Sequence, residues 1–308
     1  MINNKKTLIL VMTLAIIFLF SGCNSFDFAQ EGGYIVSAKD ALEQVKAGGI
    51  LVDARPADKY QEGHIEGAVS IPMSALVVNE PYANMLPTKE QVEEAMGAFG
   101  IKETDVLYVY DDSDNMQAAR IQWTLEIYGN KNVKVVSGGF KALLANGGST
   151  STAENKLAAT TYTGAELEKT LITNLAYINL IKKDPKENVI LVDTRSAEEY
   201  KEGTIPGSVW IEYKNNNYTN GEFKSVRDIR LTYLDQNINP DDRIILFCKT
   251  SVRAAQTYAA LKNAGFKDVR IYDGAWLEYS DKTDLTQDMV NTVTPSTGDG
   301  SWYSSQKI

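Results

Sequence analysis

Residues 50–71 read ILVDARPADKYQEGHIEGAVSI, and residues 190–211 read ILVDTRSAEEYKEGTIPGSVWI. The two stretches align without a gap at a separation of 140 residues, and well over half of their positions are identical. Each begins with an apolar run that predicts a buried strand, and continues through Asp-x-Arg into a segment with a charged helical face. A repeat of this length indicates a duplicated domain and not a solenoid of short units.

The correspondence continues, with less identity, through the second half of each copy. Val106 to Tyr110 in the first copy and Ile244 to Phe247 in the second are predicted to be buried central strands. A helical stripe follows each of them and ends at a glycine. The next predicted strands are Val133 to Val136 and Val269 to Tyr272. This order predicts two tandem α/β domains, each a mostly parallel sheet with helices on both faces.

The composition changes along the chain suggest where the domains begin and end. Residues 34–146 and 164–283 are predicted to be the first and second domains. Residues 147–163 are rich in Gly, Ser, Thr and Ala and are predicted to link them. Residues 24–33 would form a short tether, and the polar stretch 284–308 a C-terminal tail that is either wrapped on the surface or disordered.

The N-terminus has the pattern of an export signal. Two lysines precede an apolar run from Leu8 to Phe20, which is too short to span a membrane comfortably. The following Ser-Gly-Cys completes a stretch that resembles the lipobox of bacterial lipoproteins, in which the cysteine is lipidated. The resemblance implies a signal peptide over residues 1–23 and an extracytoplasmic protein that acyl chains on Cys23 anchor to the bacterial membrane. The alternative is a plain signal peptide with an incidental cysteine.

Charge and cysteine content narrow the range of functions. The net charge of −9 argues against binding to nucleic acid and against a polybasic membrane patch. The cysteines are Cys23 and Cys248, and His64 is the one histidine. If Cys23 is acylated, no disulfide is possible and too few ligands remain for a Cys/His metal cluster, so we expect no metal and no cofactor. A lone thiol in an exported protein is unusual unless it has a task.

Cys248 lies where a predicted strand meets a predicted helix. Four apolar residues precede it, and a helical pattern begins near Ala254. Unpaired backbone N–H groups and the positive end of the helix dipole would favour the thiolate there. Lys249 and Arg253 add two cations. The pattern indicates a nucleophilic cysteine with an anion-binding cradle; the alternative is a buried structural cysteine.

The first copy has Asp111 at the position of Cys248. Its loop, residues 111–115, is acidic where the loop of the second copy is basic. An acidic loop is a poor place for a thiolate or an anionic substrate. We therefore expect the first domain to be catalytically silent and the second domain to carry the chemistry.

Together these residues resemble those of tandem-domain rhodaneses, sulfurtransferases with an inactive N-terminal and an active C-terminal domain. The resemblance spans residues 34–282 and depends on the Asp-x-Arg strand ends, on the Gly-x-Ile-x-Gly segments within 63–68 and 203–208, and on loop 248–253. It implies that Cys248 attacks a sulfane-sulfur donor such as thiosulfate. A thiophilic acceptor, cyanide or another thiol, would then take the outer sulfur of the persulfide.

The resemblance also implies roles for the residues of the loop. Lys249 and Arg253 would hold an anionic donor, and the loop N–H groups would hold the persulfide. Arg195 recurs as Arg55 in the first copy, so it is expected mainly to form a structural ion pair, although it could face the loop. The predicted catalytic residues are Cys248 and Arg253, and the predicted substrate-binding residues are Lys249, Thr250, Ser251, Val252 and Arg195.

Two positions depart from the family pattern. Ser251 stands where many active loops have glycine, which tolerates positive φ. Glu199 stands where two-domain members often have a second arginine. The donor is therefore open, and the basic loop favours thiosulfate over 3-mercaptopyruvate.

Two other functions stay open on the sequence. A lipid-anchored persulfide carrier or thiol sensor, which is not an enzyme, would keep the same loop. A cysteine phosphatase of the dual-specificity type would have five residues between its cysteine and arginine. Here four residues separate Cys248 from Arg253, which favours the smaller sulfur.

Overall fold

The computed structural model describes residues 32–183 and 189–282 of the 308-residue chain. The predicted signal peptide, the lipidation site at Cys23 and the tail 284–308 lie outside the described residues, as does most of the predicted tether. Among the described helices, none is both long and apolar enough to cross a bilayer.

Most strands belong to two parallel five-stranded sheets, one in each half of the chain. Numbered along the chain, the described strands are β1 (Ile35–Val36), β2 (Ile50–Asp53), β3 (His64–Ile65), β4 (Val69–Ser70), β5 (Leu107–Tyr110), β6 (Val133–Val136), β7 (Thr150–Ser151), β8 (Ile172–Thr173), β9 (Val189–Asp193), β10 (Val209–Trp210), β11 (Arg243–Phe247) and β12 (Asp268–Tyr272).

The two sheets have the same topology. The first has the order β1-β6-β5-β2-β4, and the second, read from its other edge, has the equivalent order β8-β12-β11-β9-β10. The central strands are therefore β5 and β11, and Ile50 pairs with Leu107 as Ile190 pairs with Ile244. The prediction of two tandem α/β domains with mostly parallel sheets is confirmed.

Helices separate the strands of both sheets. They are α1 (Ala38–Lys46), α2 (Ala57–Glu62), α3 (Lys89–Ala98), α4 (Met116–Ile127), α5 (Gly139–Ala145), α6 (Leu175–Lys183), α7 (Ala197–Glu202), α8 (Val226–Leu234), α9 (Val252–Asn263) and α10 (Ala275–Lys282). The helices α4 and α9, which follow the central strands, are buried along almost their whole length because they also pack against each other. One hydrophobic core consequently contains residues from both halves of the chain.

The predicted linker, residues 147–163, lies along the first domain. Its strand β7 pairs antiparallel with β3, and the Thr160 N–H donates to the Gly97 carbonyl oxygen at 2.9 Å. These bonds give an otherwise pattern-free segment a fixed course along the surface of the first domain.

Candidate active site

The turn that carries Cys248 joins the central strand β11 to helix α9. Cys248 directly follows the last residue of the strand, and the helix begins four residues later at Val252. The first turn of α10 holds this turn, because the Trp276 N–H donates to the Cys248 carbonyl oxygen at 2.9 Å. This is the strand–turn–helix junction that the sequence predicted, and it places the cysteine at the amino end of a twelve-residue helix.

Ser251, the last residue of the turn, has a φ angle of 66°. A residue with a side chain loses about 1 kcal/mol in this left-handed conformation, which is why glycine is common there. The Ser251 side chain is fully buried, and its hydroxyl donates to the carbonyl oxygens of Tyr272 and Asp273, at 3.1 and 2.7 Å. The hydroxyl therefore fixes the turn by a hydrogen bond that glycine could not make.

The Cys248 side chain is almost wholly buried, with 1% of its surface exposed. The Arg253 guanidinium is attracted electrostatically to Cys248. Burial alone would lower the pKa of Arg253, but its hydrogen bond to Glu199 and its attraction to Cys248 raise the pKa above the ordinary value. Arg253 is thus a permanent cation beside the sulfur. Lys249, the other predicted cation, is exposed and forms no ion pair with a described residue.

The guanidinium of Arg253 is also held by a carboxylate. Its Nη1 lies 2.5 Å from Oε2 of Glu199, and its Nη2 lies 2.8 Å from Oε1, so the pair is bidentate. The hydrogen bond from Arg253 is the main reason that the pKa of Glu199 is lowered to about 2. Both side chains are partly exposed, so solvent reaches this ion pair. The role of Arg253 in donor binding therefore stays a prediction.

In the first copy, Asp111 is equivalent to Cys248 in structure as well as in the alignment. The Phe140 N–H donates to the Asp111 carbonyl oxygen at 2.8 Å, as the Trp276 N–H does to that of Cys248. In both copies the following helix is preceded by a residue with a φ angle of 66°. The same type of strand–turn–helix junction therefore carries an aspartate in the first domain and a cysteine in the second.

The Asp111 carboxylate fills a cradle of backbone N–H groups. Its Oδ1 accepts from Ser113 at 2.8 Å and from Asn115 at 3.0 Å, and its Oδ2 accepts from Ala118 at 2.9 Å. Burial raises the pKa of Asp111 above its ordinary value, and these N–H donors act against that rise. The carboxylate of Asp111 thus occupies the anion-binding position of the first domain.

The second copy has the corresponding N–H groups beside its cysteine. Those of Ser251 and Ala254 take the places of those of Asn115 and Ala118, at the same positions relative to the helix start. Within residues 32–183 and 189–282, neither meets an acceptor. An anionic sulfur bonded to Cys248 would be stabilised by these donors and by the helix dipole.

Arg195 forms a buried ion pair with Asp193. Its Nε and Nη2 donate to the two carboxylate oxygens, at 2.9 and 2.6 Å, and Nη2 also donates to the Gly203 carbonyl oxygen. The guanidinium stacks on Trp276, 4.3 Å from the ring centre. Arg55 makes the same pair with Asp53 in the first copy, so the arrangement serves the fold in both domains. A contribution of Arg195 to substrate binding stays a prediction.

His64 lies in the first copy, away from the Cys248 turn in sequence. It is fully buried, and its ring nitrogens lie 2.9 Å from the Tyr60 carbonyl oxygen and 3.1 Å from that of Ala153. In the part of the chain that the structure describes, no group of three or more His, Cys, Asp or Glu side chains could hold a metal ion.

The model of the rhodanese-like domain matches residues 37–146 and again residues 178–282. The chain belongs to the rhodanese family. The two matches fall on the two sheets, and the second contains the whole Cys248 turn.

Named relatives come from both functional types of rhodanese-like sulfurtransferase. The thiosulfate sulfurtransferase of Azotobacter vinelandii is 30% identical over 244 residues, which are 76% of this chain and 89% of the relative. The 3-mercaptopyruvate sulfurtransferase of Escherichia coli K12 is 27% identical over 258 residues, which are 77% of this chain and 88% of the relative. The crystal structure of the Escherichia coli 3-mercaptopyruvate sulfotransferase SseA superimposes with a TM-score of 0.72 at 24% identity, and covers 79% of this chain and 98% of that chain.

The first rhodanese-like domain contributes to the Cys248 turn directly. Asn84 Nδ2 donates to the Thr250 hydroxyl at 3.1 Å. Arg120, fully buried on α4, donates from Nη2 to the Asn84 carbonyl oxygen at 2.7 Å and to Oδ1 of Asp273 at 3.1 Å. The other oxygen of Asp273 accepts from the Leu86 N–H at 2.7 Å. Asn84 and Arg120 were not predicted, although an arginine inside an apolar helix is a signal of a buried partner.

Proposed function

We propose that this protein is a sulfurtransferase that carries a sulfane sulfur as a persulfide on Cys248. The observation that carries the proposal is the Asp111 cradle. In that cradle, three backbone N–H groups at the junction of a central strand and its helix bind a carboxylate, which supports an anion site at the equivalent junction. In the second domain a cysteine stands at the position of the aspartate, and Arg253 is attracted electrostatically to it.

The chemistry is a double displacement. The Cys248 thiolate attacks the outer sulfur of the donor, a new S–S bond forms, and the donor S–S bond breaks with its electron pair on the leaving group. For thiosulfate the leaving group is sulfite. The acceptor then attacks the outer sulfur of the persulfide and restores the thiolate. No oxidant is needed, since each step exchanges one sulfur–sulfur bond or transfers one sulfur atom.

The donor that we propose is thiosulfate or a related sulfane-sulfur compound. The exposed ammonium of Lys249 is available to attract an anion to the turn. The relatives act on thiosulfate or on 3-mercaptopyruvate according to their names, so they support sulfur transfer without choosing between the two donors. Cyanide or a thiol is the proposed acceptor.

Intact-mass measurement of the purified protein tests the proposal. Incubation with thiosulfate should add one sulfur atom to the wild-type chain, and cyanide should remove it with formation of thiocyanate. Cys248→Ser should take up no sulfur, while the matched variant Asp111→Ala should load like the wild type. A Cys248→Ser variant that turns over thiosulfate normally would overturn the mechanism, and loading without repeated turnover would indicate a persulfide carrier.

We also propose that the protein works outside the cytoplasm, held at the bacterial membrane by a lipid on Cys23. The lipobox-like sequence and the preceding apolar run support this location. Metabolic labelling with a fatty acid should mark the wild-type chain and not Cys23→Ala. Release of the wild-type protein into the soluble fraction without any label would contradict the anchor.

A further inference from the structure

Arg253, which follows the Cys248 turn, is paired with a carboxylate that a site for anions does not require. Glu199 is the third residue of α7, and a capping box fixes its position. The Ser196 hydroxyl accepts from the Glu199 N–H at 3.3 Å, and Oε2 of Glu199 accepts from the Ser196 N–H at 3.1 Å. The same oxygen bonds Arg253, so the carboxylate is oriented from its own helix before the arginine contributes.

The first domain lacks both members of this pair. The residue equivalent to Glu199 is Lys59, which forms an exposed pair with Glu62 at 2.8 Å on its own helix. The residue equivalent to Arg253 is Gln117, counted from the start of each central helix. The carboxylate and its arginine thus occur together and only at the cysteine, which separates them from the charges that both copies use for folding.

The ion pair alters the charge that a donor meets. Glu199 neutralises Arg253, the cation beside the sulfur, and leaves Lys249 as the uncompensated charge of the turn. A dianion that binds Arg253 must therefore compete with the fixed carboxylate of Glu199, whereas a donor with one charge or none meets a smaller barrier.

We infer that Glu199 is a specificity-determining residue that filters sulfur donors by charge, favouring persulfides with at most one negative charge over the dianion thiosulfate. This inference rests on the proposed function, because it concerns the loading of Cys248. With a persulfide donor, the Cys248 thiolate takes the outer sulfur and the remaining organic thiolate leaves with the electron pair of the broken S–S bond. Thiosulfate still loads Cys248, but with a smaller rate constant than it would have at a site without Glu199.

The test compares two donors on three proteins. Single-turnover loading of Cys248 is followed by quenching and intact mass, with thiosulfate and with the persulfide of 2-mercaptoethanol as donors. In Glu199→Gln, the ratio of the thiosulfate rate constant to the persulfide rate constant should rise about tenfold, the effect of one charge-assisted contact. The matched control is Glu202→Gln, which removes an exposed carboxylate from the same helix and should leave the ratio within about twofold.

Three results would overturn the inference. An unchanged ratio in Glu199→Gln, with both donors loading normally, would show that Glu199 does not select donors by charge. The proposed sulfurtransferase activity would still hold. An equal rise in Glu202→Gln would show a general effect of net charge. Failure of the wild-type protein to load from either donor would overturn the proposed function and the filter with it. If Glu199→Gln does not fold, Glu199→Met should give the same rise in the ratio, because it also removes the charge.

Discussion

The two turns at Asp111 and Cys248 are anchored in the same way and differ in what they hold. Each follows a central strand, each accepts an N–H from the helix after the next strand, and each leads into a buried helix. In the first domain the cradle of N–H groups is occupied by the carboxylate of the turn itself. The sequence suggested that the acidic loop is silent because it repels anions. The structure suggests a stronger reason, which is that its anion site is already filled.

The turns also differ in length. Four residues lead from Asp111 to the residue that caps α4, Asn115, whereas three lead from Cys248 to Ser251. In the longer turn, the carboxylate accepts from the N–H groups of that turn. We therefore expect that one duplicated anion cradle serves as a structural cap in the first domain and as a reaction site in the second.

The largest expected effect follows from removing the sulfur of Cys248. Cys248→Ala should lower the kcat/KM for thiosulfate:cyanide transfer at least about 10³-fold, because the nucleophile is lost. Asp111→Cys in the same background should not restore activity, since Gln117 stands where Arg253 stands in the second domain and the loop is acidic. The formation of thiocyanate measures both. Recovery of activity in the double variant would show that the cradle alone is sufficient.

The next effect concerns the contacts by which the first domain supports the Cys248 turn. Arg120→Met should lower the free energy of unfolding by about 3 kcal/mol, because it leaves Asp273 as a buried charge without its cation. Urea denaturation of Arg120→Met, Asp273→Asn and the double variant gives the coupling between the two side chains. A change below about 1 kcal/mol in Arg120→Met would mean that the pair is not a main support of the Cys248 turn.

A smaller loss of stability is expected when the occupied cradle is disturbed. Asp111→Asn keeps one oxygen but brings an NH₂ group against backbone N–H donors, so the free energy of unfolding should fall by about 2 kcal/mol. Asp58→Asn, at an exposed position, is the control and should change it by less than about 0.5 kcal/mol. Sulfur transfer should be nearly unchanged in both variants. Loss of activity in Asp111→Asn would show that the first domain is not silent.

The local patterns of the sequence were sufficient for the longer strands of both sheets, the junction at Cys248 and the equivalence of Asp111, but not for short strands such as β7 and β8. The predicted features depend on residues close together in the chain or on the repeat itself. The contacts of Arg120 with Asp273 and of Asn84 with Thr250 join residues more than 150 positions apart, and they arise from packing between the domains. The spacing of apolar residues along the chain carries no information about such contacts between domains.

The pair of Glu199 and Arg253 shows the same limit in another form. Both residues were noticed in the sequence, Arg253 as a ligand of the donor and Glu199 as a departure from the family pattern. Their mutual bond could not be foreseen, because it depends on how α7 and α9 meet. A charged residue that lacks an assigned partner in the sequence is therefore better assigned to a neighbour than to a substrate until the packing is known.

The ion pair between Glu199 and Arg253 should make the stability of the protein depend on pH. The pKa of Glu199 is lowered from its ordinary value to about 2, so its stabilising contribution is complete above about pH 4.5 and is lost as the pH falls toward 2. The difference in free energy of unfolding between the wild type and Glu199→Gln should be about 1–2 kcal/mol at pH 6, allowing for solvent screening, and should shrink by pH 3. Urea denaturation across this range measures it. A difference that grows on acidification would contradict the ion pair.

The smallest expected effect tests why the active turn has serine at a position that favours glycine. Ser251→Gly loses the hydrogen bond to the carbonyl oxygens after β12 but relieves the left-handed backbone, so the two changes should nearly cancel. Ser251→Ala loses the same bond and keeps the strain, and its free energy of unfolding should be lower than that of Ser251→Gly by about 1 kcal/mol. Equal stability of the two variants would mean that the φ angle of 66° carries no strain at this turn. A Ser251→Gly protein clearly more stable than the wild type would mean that the hydroxyl contributes less than the backbone conformation loses.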